Sequence, residues 1–549
     1  MVDKILFIVP PNMDFDSFTK PSFNERTVVK KSGAYGSVVA EMPIGLLSLS
    51  AFLKAHTAAD IKIIDFNVVL NTMESFAYSS FADLFHDILA NKEWLDYAPS
   101  IIGISTLFTP SYHNMMALAG VARHMFASAL IIAGGGVPTN MYSEIFETST
   151  SFDALCYGEG EKPLLGLVQA IDRKKFLKTH PSWITREKVE NKQSFQHDFI
   201  GDLDEIPFLP YDMLNPDDYR LSSLLSLFPL MEQRIAMPIM TSRGCPHRCC
   251  FCSSHTVHGR KMRYHSLGRV REDLKRLQEQ YHAETIVFFD DHFMADKQRV
   301  FDIINTMKVL KLTAFFPSSL ALYTLDRKTL EALKSIGVNH LILSVESGSD
   351  RVLKKIMHKP LDLSIVSRVI ADCRQLGIAS DLSILIGLPG ETKQDIEDAR
   401  SFLKTLNATW FRISMATPLI GSEMLDICKK HNYLKGDYLG CNFKRAVVET
   451  EDFTAEFIQE KAYSLNLELN FLNNSDFRLG NYETALKGFE NTIKVKSDHA
   501  FAFYFAAKCC KKLNLDEKYQ SYNAKYHGII KNSEFWKNYA HQFDLAVLE

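Results

Sequence analysis

The chain has 549 residues, 62 of them Lys or Arg and 65 Asp or Glu, for a formal charge of −3; 46% are hydrophobic and 23% charged. Ordinary globular usage excludes wholesale disorder, and balanced charge excludes a chain-wide attraction to polyanions, though not a local basic channel. At roughly 150 residues per domain the length predicts three or four domains. The longest apolar run near the start, Ile44 to Leu53, is about half of what a membrane span needs. Met1-Val2-Asp3-Lys4 runs straight into Ile5–Val9 and Pro10-Pro11, without the regions of a signal peptide, so a cytoplasmic address is expected.

In residues 1–172, strand candidates Ile5–Val9, Ile61–Phe66, Ile101–Ser105, Leu130–Ala133 and Ala154–Tyr157 alternate with amphipathic segments Ile44–His56, Glu74–Ala90, Tyr112–Phe126 and Glu161–Ile171. That alternation predicts an α/β, doubly wound, Rossmann-like parallel sheet with ligands beyond the strand carboxyl ends. Gly134-Gly135-Gly136 and Gly158-Glu159-Gly160 fall at those ends. Residues 173–235, with Pro181, Pro207 and Pro210, read as an extended linker.

A second alternating series occupies 236–450. Its predicted strands are Pro238–Thr241, Thr285–Phe289, Ala314–Pro317, Leu341–Val345, Asp381–Ile386 and Arg412–Met415. The six units, separated by helices, predict a partial (β/α)6 barrel of TIM type with its reactive residues on the strand-end loops. Residues 451–549 read as an all-α appendage. Within about 467–525, Gly480–Phe489 resembles the second helix of a tetratricopeptide repeat, and Ala500, Phe503, Tyr504 and Ala507 fit the first helix of the next. A packing or dimer contact and a peptide-binding groove both remain open.

The ten cysteines are Cys156, Cys245, Cys249, Cys250, Cys252, Cys373, Cys428, Cys441, Cys509 and Cys510. Four lie within eight residues, which points to metal chemistry in a reducing compartment rather than a disulfide framework. Cys245-Pro-His-Arg-Cys249-Cys250-Phe251-Cys252 contains C-x3-C-x2-C directly after the first barrel strand. Three thiolates from one loop would leave one iron of a four-iron cluster open to an amine and a carboxylate. A zinc site completed by His247 or His255, and a purely structural cluster, are the blander readings.

The loop resembles the signature of the radical S-adenosylmethionine (SAM) superfamily. The resemblance implies a [4Fe-4S] cluster on Cys245, Cys249 and Cys252, SAM on the open iron, Phe251 near the adenine and Cys250 as a bystander. Asp290 and Asp291 stand where the family's loop meets the methionyl amine, although its Gly-Gly-Glu is absent; a helix-capping turn before Lys297 is the other reading. Glu346 and Ser347 lie in a segment resembling the ribose-binding one, or cap a helix starting near Asp350. Ile386-Gly387-Leu-Pro389-Gly390-Glu391-Thr392 matches the family's Gly-Leu-Pro-Gly-Glu-Thr, which places Gly387 and Pro389 near the cofactor, glycine allowing close approach to a ligand.

Pro43–Leu53, Gly134–Thr139 and Tyr157–Glu161 resemble the cobalamin-binding domains attached to such enzymes, so that the likeness spans about 1–440. The loop Val9-Pro10-Pro11-Asn12 lacks the G-x-G-x-x-G of a nicotinamide site. It also lacks D-x-H-x-x-G: Asp14 and Asp16 are present without the histidine, and His113 lies outside that context. The resemblance therefore implies base-off cobalamin with no histidine ligand, contacted by Ser105, Thr106, Gly134, Gly135 and Gly136; loss of cobalamin is the alternative. The expected function is cobalamin-dependent methylation of an unactivated carbon. The alternatives are ring closure, rearrangement or oxidation without methyl transfer, and a non-enzymatic assembly protein. A flavodoxin or ferredoxin would supply electrons, and no nucleic acid is expected. The sequence does not name the small-molecule or peptide substrate.

Overall fold

Ile5 to Ile8 are at most 1% exposed, and they face two ways. Ile5 and Phe7 pack with Leu46, Leu53 and Leu164, whereas Leu6 and Ile8 pack with Leu84, Leu118 and Ile145. A strand buried on both faces belongs inside a parallel sheet covered by helices on each side. That sheet contains β1 (Lys4–Val9), β2 (Asp60–Asp65), β3 (Ile101–Ser105), β4 (Leu130–Gly134), β5 (Ala154–Cys156) and β6 (Trp183–Ile184). Its order is β2-β1-β3-β4-β5-β6, parallel except for β6 against β5. The order reverses between β1 and β3, which opens a crevice at their carboxyl ends.

The computed structural model describes residues 2–21, 27–219, 234–440, 443 and 445–545; Cys441 and part of the predicted linker lie outside them. The described part of that linker is not simply extended. It holds the helices Arg173–Thr179 and Arg186–Glu190 and the strand β6, which completes the first sheet. A hairpin, Thr27–Lys30 with Gly33–Gly36, also interrupts the path from β1 to helix α1 (Ile44–His56). The predicted helix Glu74–Ala90 shortens to Phe81–Leu89 because Ser80 caps it, accepting a bond from the Asp83 amide.

The barrel strands are β7 (Ala236–Ile239), β8 (Thr285–Phe288), β9 (Thr313–Phe315), β10 (His340–Glu346), β11 (Ala379–Ile386) and β12 (Trp410–Met415). They form two parallel ladders, β9-β8-β7 and β10-β11-β12. Met237, Ile239, Ile286, Leu341 and Leu343 pack outward with helix residues such as Val270, Leu274 and Ile303. Val287, Phe315 and Ile342, of the other parity, meet each other and join the two ladders across the barrel interior.

Helix α2 (Ala455–Leu467) and the turn after it cover the last barrel strand. Asn470 accepts from the Phe411 amide and donates to its carbonyl, each at 2.8 Å, much as a neighbouring strand would. Glu468 pairs with Arg400 and Lys404, and Asp476 with Arg374. The remaining helices, Tyr482–Val495, Ala500–Lys512, Asp516–Asn532 and Glu534–Gln542, share an aromatic core around Phe489, Phe501 and Trp536. Among the described residues no helix is long and apolar enough to cross a membrane.

Candidate functional site

After β7 the chain makes a short ladder, Ser242–Arg243 against Arg263–Tyr264, and the cysteine loop springs from it. Two carboxylates at the end of β8 hold its base. Asp290, 2% exposed, accepts from the Thr241 amide and hydroxyl and from the Ser242 hydroxyl, the last two at 2.7 and 2.6 Å. Asp291 accepts from the Gly244 amide at 2.9 Å and pairs with His258 at 2.8 Å. Burial alone would raise the Asp291 pKa, but the His258 partner and these hydrogen bonds hold it below the ordinary range. The expected cofactor contact by Asp290 is therefore corrected: both of its oxygens are taken up by the loop. The capping alternative is corrected too, since Asp296 caps the next helix through the Arg299 amide.

Cys245, Cys249 and Cys252 are partly accessible, while Cys250 is buried and belongs to the barrel core. Its amide donates to Met357 and its thiol is pushed up to about 12 by burial. Burial, with the neighbouring Cys252, Asp291 and Cys249, raises the Cys245 thiol to about 11. Three thiols that sense one another from one loop fit the donor set of an iron–sulfur cluster. Of the two histidines in the zinc reading, His247 is hydrogen-bonded through Nε2 to Tyr323 at 2.8 Å, and His255 begins the short helix after the loop. Among the described residues no three candidate ligands converge on a single ion.

Glu346 ends β10 at a bulge with φ +70°, a strained conformation for a residue with a side chain. Its carboxylate lies 3.6 Å from Lys359, whose ammonium stands 6.0 Å over the Phe251 ring. Lys359 escaped sequence reading because it sits in no motif and reaches the site only through the fold. Ser347 is buried and accepts from the Ser349 amide at 3.1 Å, locking the turn. Ser349, rather than Glu346, bonds the amide at the start of the following helix.

Gly387 has φ +89°, and a Cβ there would stand 2.8 Å from Ile458 of α2. The fold itself therefore requires a close approach here, to a helix of the C-terminal part. Glu391, fully buried, accepts from the Gly387 and Leu388 amides at 2.6 and 3.1 Å, and Pro389 between them is buried. Burial outweighs those bonds and raises the Glu391 pKa to about 7. Gly387→Ala is expected to cost about 1–3 kcal/mol from backbone strain, with the contact adding to it. Urea unfolding measures this, and adding Ile458→Ala should recover the contact's share but not the strain.

At the sheet's crevice, Ser105 pairs with Gly134. Thr106 is 1% exposed and its hydroxyl has no protein partner. Gly135, at φ +107°, crosses so near that a Cβ would lie 2.5 Å from the Thr106 carbonyl, and Gly136 begins a short helix. Leu107 and Phe108 stand exposed just beyond. An orphaned hydroxyl, a side-chain-free backbone and apolar side chains at the strand ends fit a large cofactor with a polar tail. Asp14 caps the helix Phe15–Thr19, and His113 pairs with Asp437 at 2.9 Å.

Sequence reading missed the tie between the two halves. Arg243, next but one before Cys245, binds Glu161 at 2.7 Å and lies 3.4 Å from Glu159. Arg263 makes a two-pronged pair with Glu159 at 2.8 and 2.5 Å, and Ser48 donates to Glu161 at 2.6 Å. The Tyr157–Glu161 segment thus anchors the base of the cysteine loop.

Residues 239–403 match the model of the radical SAM superfamily, and residues 38–168 match that of the B12 binding domain. The chain is a B12-binding, methyltransferase-like radical SAM enzyme. It is 27% identical over 470 residues to an uncharacterized methyltransferase of Pyrococcus horikoshii, covering 84% of this chain and 92% of that one. It is 24% identical to the cytidylyl-2-hydroxyethylphosphonate methyltransferase of Streptomyces wedmorensis, over 69% of this chain and 76% of the relative. The structure of the cobalamin-dependent SAM radical enzyme OxsB, with aqua-cobalamin and SAM bound, shares the fold. Its TM-score is 0.60 at 15% identity, covering all of this chain and 84% of that one. The family implies a [4Fe-4S] cluster, SAM and cobalamin for this B12-binding radical SAM enzyme, and the residues described above suit all three.

Proposed function

We propose that this enzyme methylates an unactivated carbon, with the cluster held by Cys245, Cys249 and Cys252 and cobalamin held base-off above Thr106 and Gly134–Gly136. The observation that carries the reading is the buried Arg243–Glu161 and Arg263–Glu159 tie. It holds the cysteine loop in a fixed relation to the first domain, as a reaction shared between two cofactors requires. When bound, the cluster reduces SAM to free a hydrogen-abstracting 5′-deoxyadenosyl radical, and cobalamin supplies the methyl group. Asp290 and Asp291 position the thiols. Lys359 and Glu346, beside Phe251, are set to hold the charged and hydroxyl groups of SAM. An external flavodoxin or ferredoxin supplies electrons, in a cytoplasmic setting that suits the free thiols.

The test uses protein purified without oxygen, reconstituted with iron, sulfide and cobalamin, then reduced with SAM. Chromatography with mass detection should find 5′-deoxyadenosine together with S-adenosylhomocysteine. Deoxyadenosine alone would overturn methyl transfer, and neither product would overturn the radical reading.

A further inference from the structure

A cavity of about 270 Å3 opens between the barrel interior and the first domain. Its barrel wall is apolar, formed by Pro238, Val287, Phe289 and Phe315, with Val28 and Val38 opposite. Phe289 directly precedes the two carboxylates that hold the cysteine loop, so the cavity adjoins the site already described.

The polar groups of the wall are uneven. Glu41 and Asp218 line it, and among the described residues no lysine, arginine or histidine does. Two of the other polar groups are occupied: the Asn71 amide donates to Val38, and the Tyr219 hydroxyl to Asp65. Glu41 is accessible and makes no hydrogen bond or ion pair among the described residues. Its apolar surroundings push its pKa upward, the response of a carboxylate short of a partner.

The backbone that presents Glu41 is firmly held. Val38 is buried in the core of the first domain and Met42 in that of the barrel. The Val38 and Val39 carbonyls accept from Asn71 and Asn12 at 3.0 and 2.8 Å. A carboxylate fixed in an apolar wall, with no counter-ion among the described residues, favours a ligand that brings the cation.

We propose that this cavity receives an apolar substrate bearing an amine or other cationic group, which pairs with Glu41 while the hydrocarbon part lies along Val287, Phe289 and Phe315. The inference rests on the proposed methylating function, whose substrate this cavity would hold.

Isothermal titration of the reconstituted enzyme, with SAM present and oxygen absent, would compare three matched probes: phenylbutylamine, phenylbutanol and phenylpentanoate. The amine should bind at least about tenfold more tightly than the alcohol, the scale of one hydrogen bond to a charged group, and the carboxylate most weakly. Glu41→Gln should abolish the amine's advantage and leave the alcohol's affinity unchanged, while Glu41→Lys should turn the preference toward the carboxylate. An amine that fails to bind the wild type, binds no better than the alcohol, or keeps its advantage in either variant would overturn the proposal. SAM cleavage by the same wild-type samples separates the two levels: cleavage without amine preference sinks this inference alone, and absence of cleavage sinks the reading beneath it.

Discussion

Cys249→Ala should abolish reductive SAM cleavage, whereas Cys250→Ala, one residue along, should leave it nearly intact. The contrast follows from where the two side chains go. Cys249 is partly accessible near Cys245, Cys252 and Lys359, and losing it removes one of the three proposed thiolate donors. Replacing even a partner behind a metal ligand commonly costs 10–100-fold, so loss of a ligand should exceed about 100-fold. Cys250 instead points into the barrel core, 3% exposed, and its alanine variant removes only a small buried group, at a cost of about 1 kcal/mol. Iron content, the low-temperature electron paramagnetic resonance of the reduced protein and 5′-deoxyadenosine yield would be measured on all three proteins. Equal loss in both variants would show that Cys250 also serves the cluster. Full activity of Cys249→Ala would remove the cluster assignment altogether.

Arg243→Met should destabilise the protein by about 3–5 kcal/mol, because it leaves a buried carboxylate without its cation. Arg243 and Glu161 are each under 10% exposed, and both come from elements packed where the two domains meet. Glu159 keeps Arg263, so the uncompensated group is chiefly Glu161. Replacing both partners, Arg243→Met with Glu161→Leu, should restore most of the loss, and urea unfolding of the full cycle isolates the pair's coupling. The pair also predicts an acid limit. Burial would raise the Glu161 pKa, but Arg243 and the hydrogen bonds more than offset this and bring it to about 2, from an ordinary 4.5. A carboxyl depressed on folding contributes stability that is complete above about pH 4.5 and lost as pH falls toward 2. The wild type should therefore lose stability across that window, and Arg243→Met, already weaker at neutral pH, should lose less of it.

Much of the architecture was legible along the chain. Strand candidates such as Ile5–Val9 and Asp381–Ile386 fall inside strands of the fold, because a strand buried on both faces is written as a run of apolar residues. The hairpin at 27–36 and the strand β6 were not legible. One is a ribbon of two four-residue strands that are mostly exposed or half-buried and the other only two residues long, and neither leaves a periodic signal. Glycine motifs were recognised more readily than their reasons. Gly135 does make way at the crevice, yet Gly387 makes way for Ile458, more than 70 residues downstream.

The sequence by itself determined the alternation of strands and helices, the three-cysteine loop and its place after the first barrel strand. All of these are local: spacing and periodicity within a few tens of residues carry them. Only the tertiary structure decided that Asp290 and Asp291 brace the loop, that Cys250 turns inward, that Lys359 meets Glu346, and that Glu159 and Glu161 hold Arg263 and Arg243. The last two pairs join residues 104 and 82 positions apart. No local pattern specifies such a partner, because buried charges are matched by the path of the folded chain rather than by their neighbours in sequence.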